Sequence, residues 1–96
     1  MTPGFSVQNT ARFDRELRKL SRHHPELLTS YQRIWSILET DPYNHSREHP
    51  IKKLEGVKSG DGQYRVRFGR FRFRYDIEGQ VVYLKACSLR REGTYR

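Results

Sequence analysis

The residues best equipped for chemistry in this chain are arginines. From Gln63 to Tyr75 they alternate with aromatic and aliphatic side chains as Arg65, Arg67, Arg72 and Arg74, and Gly69-Arg70 interrupts the alternation. A guanidinium is planar, presents five donors and stays protonated at physiological pH. A cluster of them is suited to gripping phosphate and to stabilising extra charge on phosphorus, and it is poorly suited to removing a proton. The whole chain carries the same bias. Its 96 residues hold 19 Lys+Arg against 11 Asp+Glu, a net charge of +8, and 14 of the 19 cations are arginine. Such an excess attracts polyanions at long range, and the preference for arginine ranks nucleic acid above a generic acidic surface.

Other reactive side chains are few. His45 and His49 stand at i and i+4, a spacing that holds zinc when helical, but the segment lacks the HExxH pattern, offers no evident third ligand and runs into Pro50. No metal or cofactor is expected, and His49 is kept as a candidate base or RNA contact. Cys87 is the single cysteine, so no internal disulfide is possible and a reducing, cytoplasmic setting fits. It lies in an apolar run and reads as a core residue. No apolar stretch approaches the roughly 20 residues that span a bilayer, so no membrane partner is expected.

The elements that must position the arginines follow from periodicity. Phe5-Ser6-Val7 suits a short strand. Asn9 or Thr10 can cap a helix with Phe13, Leu17 and Leu20 on one face and Arg12, Arg15, Arg18, Lys19 and Arg22 on the other. Pro25 can open a second helix, whose stripe is Leu27, Leu28, Tyr31, Ile34, Trp35 and Leu38. Tyr43 to Lys53 has no regular period and reads as a loop. Beyond it the period becomes two. Tyr64, Val66 and Phe68 lead into Gly69-Arg70, a two-residue turn of the II′ kind, and parity reverses to Phe71, Phe73, Tyr75 and Ile77. A turn at Glu78-Gly79 then leads to an apolar strand, Val81 to Ser88, with Val82, Leu84 and Ala86 toward the core and Tyr83, Lys85 and Arg91 away from it. The chain length suits one domain over residues 1–96. Its fold class is α+β, an N-terminal helical hairpin packed on one face of a small antiparallel sheet.

That hairpin register sets Arg67 opposite Arg72 and Arg65 opposite Arg74 on the uncovered face. Alternation alone is what any half-exposed sheet shows. Like charges facing each other across strands oppose folding, however, by about 0.7 kcal/mol per pair in water, with no structural return. An anion site explains the grouping.

The residues Lys53-Leu54-Glu55-Gly56, Gln63-Tyr64-Arg65-Val66-Arg67, Gly69 through Tyr75, and Leu89-Arg90-Arg91-Glu92-Gly93-Thr94-Tyr95-Arg96 together resemble the RelE/ParE toxin superfamily of bacterial toxin–antitoxin modules. The helices beginning at Thr10-Ala11-Arg12-Phe13-Asp14 extend the resemblance over nearly the whole chain. It implies a helical hairpin on an antiparallel sheet and a cognate antitoxin that wraps the toxin. RelE-like members cut messenger RNA on the ribosome through the ribose 2′-hydroxyl without a metal; ParE-like members keep the fold and act on gyrase. Arg65 and Arg67 stand where the RelE type has two functional lysines, Arg72 at its phosphate-binding arginine, and Arg91 and Tyr95 at its terminal arginine and tyrosine. Retention of Arg72, Arg91 and Tyr95 favours the nuclease branch. The implied division of labour has Arg65, Arg67 and Arg72 on the phosphate, Arg91 at the leaving oxygen and Tyr95 against a base. Arginine is a poor base, so proton removal falls to Glu92, His49 or a ribosomal group. Lys52, Lys53, Arg74, Lys85 and Arg90 are the expected further RNA contacts, and a one-residue slip at the strand end would exchange Arg90 for Arg91. A gyrase inhibitor and a silent RNA-binding module are the alternatives.

Overall fold

Thr10 marks the change from strand to helix. Its backbone is still extended, its hydroxyl oxygen accepts from the Phe13 amide, and the hydroxyl donates to the Leu84 carbonyl at 2.8 Å, pinning the helix start to the sheet. The computed structural model describes residues 4–90. Within them run β1 (Ser6–Asn9), α1 (Ala11–Ser21), α2 (Leu27–Thr40), β2 (Ile51–Lys53), β3 (Tyr64–Phe68), β4 (Phe71–Glu78) and β5 (Val81–Leu89).

The helices bury narrower stripes than expected. Phe13 of α1 and Leu27, Ile34 and Leu38 of α2 are fully buried, while Tyr31 and Trp35 pack at the margin. Leu28, expected in the stripe, is 48% exposed, and the small Ser30 takes a buried place instead. A 14-residue helix lying on a twisted sheet covers only the residues nearest its contact line. The cationic face of α1, including Arg12, Arg15, Arg18 and Lys19, is exposed.

The β3–β4 hairpin has the expected register, pairing Tyr64 with Tyr75, Val66 with Phe73 and Phe68 with Phe71. Gly69 takes φ +60° while Arg70 keeps a negative φ, as a II′ turn requires. The next turn falls one residue later than expected. Glu78 pairs with Val81, so Gly79-Gln80 makes the turn, and Gly79 supplies φ +59°. Strand parity is preserved, and Val82 and Leu84 are buried as expected.

The sheet has five strands in the order β1-β5-β4-β3-β2. It is mostly antiparallel, but β1 runs parallel to β5, with Val7 beside Val82. The helical hairpin is the crossover, leaving one edge at β1 and reaching the other at β2, and both helices land on the same face. The segment read as a loop from Tyr43 to Lys53 ends in a strand after all, because Ile51 pairs with Val66 and Lys52 with Arg65. Three residues carry too little pattern to reveal a strand, and two lysines on so short an edge discourage further pairing. The core lies between helices and sheet and joins Phe13, Leu27, Ile34 and Leu38 to Val66, Phe71, Phe73, Tyr75, Val82 and Leu84. Tyr75 donates its buried hydroxyl to the Pro42 carbonyl at 2.7 Å, which ties the end of α2 to β4.

Candidate functional site

The sheet face turned away from the helices carries the arginines. Arg67 opposes Arg72 and Arg65 opposes Arg74, with Lys52 beside Arg65 on the edge strand. All four arginines are half-buried. The Arg72 Nε is buried and has no hydrogen-bond partner among the described residues. A buried guanidinium nitrogen without a partner is costly unless opposite charge stands close by, and an anion over the Arg67–Arg72 pair would supply that charge.

The Arg74 end of the face is different. The segment 54–63 between β2 and β3 folds back over it, a cover that no hydrophobic period announces. The Arg74 Nε donates to the Gly62 carbonyl at 3.0 Å, and Nη2 donates to the carbonyls of Asp61 and Gly62. Next along β4, buried Asp76 accepts from the amides of Gly62 (2.9 Å) and Gln63 (3.0 Å). Arg74 and Asp76 thus clamp one loop from its carbonyls and its amides. Gly62 has φ +82°, and a Cβ there would stand 3.0 Å from the Arg74 Cβ, so glycine is required. An aspartate inside an arginine-rich strand is the signal that could have revealed the cover.

On β5 the register shifts. Tyr75 pairs with Leu84 but Arg74 with Ala86, leaving Lys85 as the extra residue of a bulge. Ala86, expected in the core, therefore follows the arginine side, and Cys87 takes the core place, 5% exposed. Burial first, and Glu16 second, push the Cys87 thiol up to about 12, so it stays a neutral thiol. The Cys87 amide lies beyond the reach of β1 and donates instead to Glu16 at 3.0 Å. The shift also puts Ser88 opposite Arg72, and Arg90, whose amide bonds the Arg70 carbonyl, continues on that side. Arg91, Glu92 and Tyr95 lie outside the described residues.

The remaining expected residues separate. Lys53 opposes Tyr64 and holds its ammonium 5.8 Å from that ring's centre, on the opposite parity to Lys52. Both lysines nevertheless rim a cleft of about 490 Å³ that runs up to Arg74. His49 sits 3.7 Å from the Asp41 carboxylate at the end of α2, and the Asn44 side chain bonds its amide and carbonyl, so its ring is held on the helix side of the edge. Burial raises the Asp41 carboxyl, but the Ser46 hydroxyl, the His45 and Ser46 amides and His49 outweigh it and hold the group below its usual value. His45 stacks on Tyr43. The two histidines are engaged separately, and no group of three metal-ligating side chains occurs among the described residues. Among those residues no helix is long and apolar enough to cross a membrane.

A helical hairpin on a five-stranded sheet is the fold of chains in solved toxin–antitoxin complexes. The fold matches a chain of the RelBE2 toxin–antitoxin complex from Mycobacterium tuberculosis with a TM-score of 0.69 at 23% identity, covering 92% of this chain and 99% of that one. It matches a chain of the archaeal RelE–RelB complex from Pyrococcus horikoshii OT3 with a TM-score of 0.63 at 24% identity, over 94% and 99% of the two chains. No protein-family model matches. In sequence the chain is 31% identical over 94 residues, 96% of each protein, to the Methanocaldococcus jannaschii protein named "Putative toxin RelE1". At that identity and coverage the chain belongs to the RelE toxin family.

Proposed function

We propose that this chain is the toxin of a RelBE-type pair and that it cleaves messenger RNA on the ribosome through the ribose 2′-hydroxyl. The observation that carries the reading is the Arg67–Arg72 pair, two facing cations on the open side of the sheet, with the Arg72 Nε buried and lacking an acceptor among the described residues. Arg65, Arg67 and Arg72 hold the scissile phosphate and stabilise its added negative charge. Arg91 meets the leaving 5′-oxygen and Tyr95 stacks on or orients a base, as the family resemblance implies. The proton of the 2′-hydroxyl goes to Glu92, to His49 or to a ribosomal group. Of these, His49 has the weakest support, because its ring lies 3.7 Å from the Asp41 carboxylate at the end of α2 and not on the arginine rungs. Lys52 and Arg90 extend the RNA track on either side of the pair, and Lys53 contributes from the rim of the edge cleft. No metal enters this scheme. The family's solved complexes support a cognate antitoxin as the protein partner.

The test is brief induction of the wild-type chain and of the double variant Arg72→Ala/Arg91→Ala in bacterial cells, with 5′ ends of messenger RNA mapped within minutes. New ends within translated frames, absent in the double variant, are expected. Growth arrest without new ends would overturn the nuclease reading and point to a protein target such as gyrase.

A further inference from the structure

A second cationic feature lies beside the arginine pair and is not needed for the cleavage scheme. A cavity of about 650 Å³ opens between the 54–63 loop, the β5 bulge and the first turn of α1. That volume falls within the ~300–1,000 Å³ of small-ligand sites. Arg12 of α1, Lys58 of the loop, Arg74 of β4 and Lys85 of β5 line it, with Asp61 as the one carboxylate in the lining. Four elements distant in sequence thus each bring a cation to one hollow. We propose that this cavity binds a phosphate group, carried either by an RNA backbone or by a free mononucleotide.

The geometry favours a bound anion over a merely solvated patch. The Arg74 guanidinium is locked by three hydrogen bonds to the Asp61 and Gly62 carbonyls, so its charge stands in the cavity wall before any ligand arrives. Lys85 is thrown out of register by the bulge, and its ammonium lies 5.7 Å from the centre of the Tyr83 ring. Gly56 and Gly60 line the same wall with φ +76° and +101°, and no atom stands within 4 Å of where their Cβ atoms would be, which leaves room for a ligand against the loop. Arg12 is oriented by Glu16 at 3.1 Å. Polar groups outweigh apolar ones in the lining, whose aliphatic side chains are Val57 and Ala86, which suits a phosphate better than a base. Arg74 follows Arg72 by two residues on β4, about 7 Å along the strand, so one oligonucleotide can reach both sites. The proposal rests on the RNA reading only for the source of the phosphate.

The test is a titration of the isotopically labelled full chain, followed by NMR, with inorganic phosphate, adenosine monophosphate and a 2′-deoxy tetranucleotide that cannot be cleaved through a 2′-hydroxyl. The Lys58 and Gly60 amides and the Arg74 Nε–H are expected to shift together with one binding constant. Lys58→Ala/Lys85→Ala, which changes two solvent-reaching side chains, should weaken phosphate binding about tenfold and lower the salt slope of oligonucleotide binding by about 1.4. Tighter binding of the tetranucleotide than of the mononucleotide assigns the site to the RNA backbone; equal binding assigns it to free nucleotides, and either supports the cavity. Shifts confined to Arg72 and its neighbours, or unchanged affinity in the double variant, would overturn it. Messenger RNA mapping in cells is independent of this titration, so cleavage without a cavity response removes this proposal alone, and a cavity response without cleavage removes the nuclease reading alone.

Discussion

Two arginine pairs occupy successive rungs of one hairpin, yet their surroundings differ. At the Arg65–Arg74 rung the 54–63 loop comes down on the sheet, supplies carbonyls to Arg74 and delivers two amides to Asp76. At the Arg67–Arg72 rung the Arg72 Nε has no acceptor among the described residues. Facing cations cost about 0.7 kcal/mol per pair in water, and burial of an unpartnered donor adds to that. One rung converts a cation into a structural strut. The other leaves a buried donor without an acceptor among the described residues, and that contrast, more than net charge, separates an arginine fixed by the fold from one open to a ligand.

The contrast can be broken most severely at Asp76. Asp76→Ala leaves two loop amides without their acceptor and should lower unfolding free energy by about 3 kcal/mol, read from the urea midpoint. Gly62→Ala tests the same clamp with less force. A left-handed backbone and the close approach to Arg74 should cost about 1–2 kcal/mol, with the hydrogen-bonded Asp61 and Gln63 amides exchanging faster in hydrogen-exchange measurements. Tyr75→Phe removes the buried bond to Pro42 on the helix side, away from both rungs, and should cost about 1 kcal/mol in the same urea assay.

The smallest effect is an acid response. Asp41 is held below its usual value in the folded protein, so its contribution is fully present above the unfolded carboxylate pKa of about 3.9 and is lost as pH falls through the lower folded value. Asp41→Asn should therefore flatten the fall in thermal midpoint below pH 4 and leave the midpoint near pH 7 slightly lower.

Much of the hairpin was legible because Gly69 reverses an otherwise strict period of two, and that single feature sets which arginines face each other. The bulge was not legible, since Leu84-Lys85-Ala86-Cys87 offers apolar residues to the core in either register. Nor was β2, where Ile51-Lys52-Lys53 is too short for any period. Residue type and register alone group Arg65, Arg67, Arg72 and Arg74 on one face, as the hairpin pairing bears out, while the roles of Arg65, Arg67 and Arg72 come from the family resemblance. The fixing of Arg74 by loop carbonyls depends on a fold-back of 54–63 that leaves no periodic trace, and the same fold-back creates the cavity with Arg12 and Lys58. Family membership came from motif order and is borne out by the relative and the fold.

If the Arg67–Arg72 rung is kept for RNA at the expense of folding, Arg72 and Arg74 must differ in what they do for stability, since loop carbonyls hold Arg74 alone of the two. The most direct measurement compares Arg72→Ala with Arg74→Ala for urea stability and for messenger RNA cleavage in the same cells. Arg72→Ala should keep or raise the urea midpoint while cleavage falls about 10²–10³-fold, as expected on removing a group that stabilises transition-state charge. Arg74→Ala should lower the midpoint. A destabilised Arg72→Ala protein that still cleaves would contradict the account.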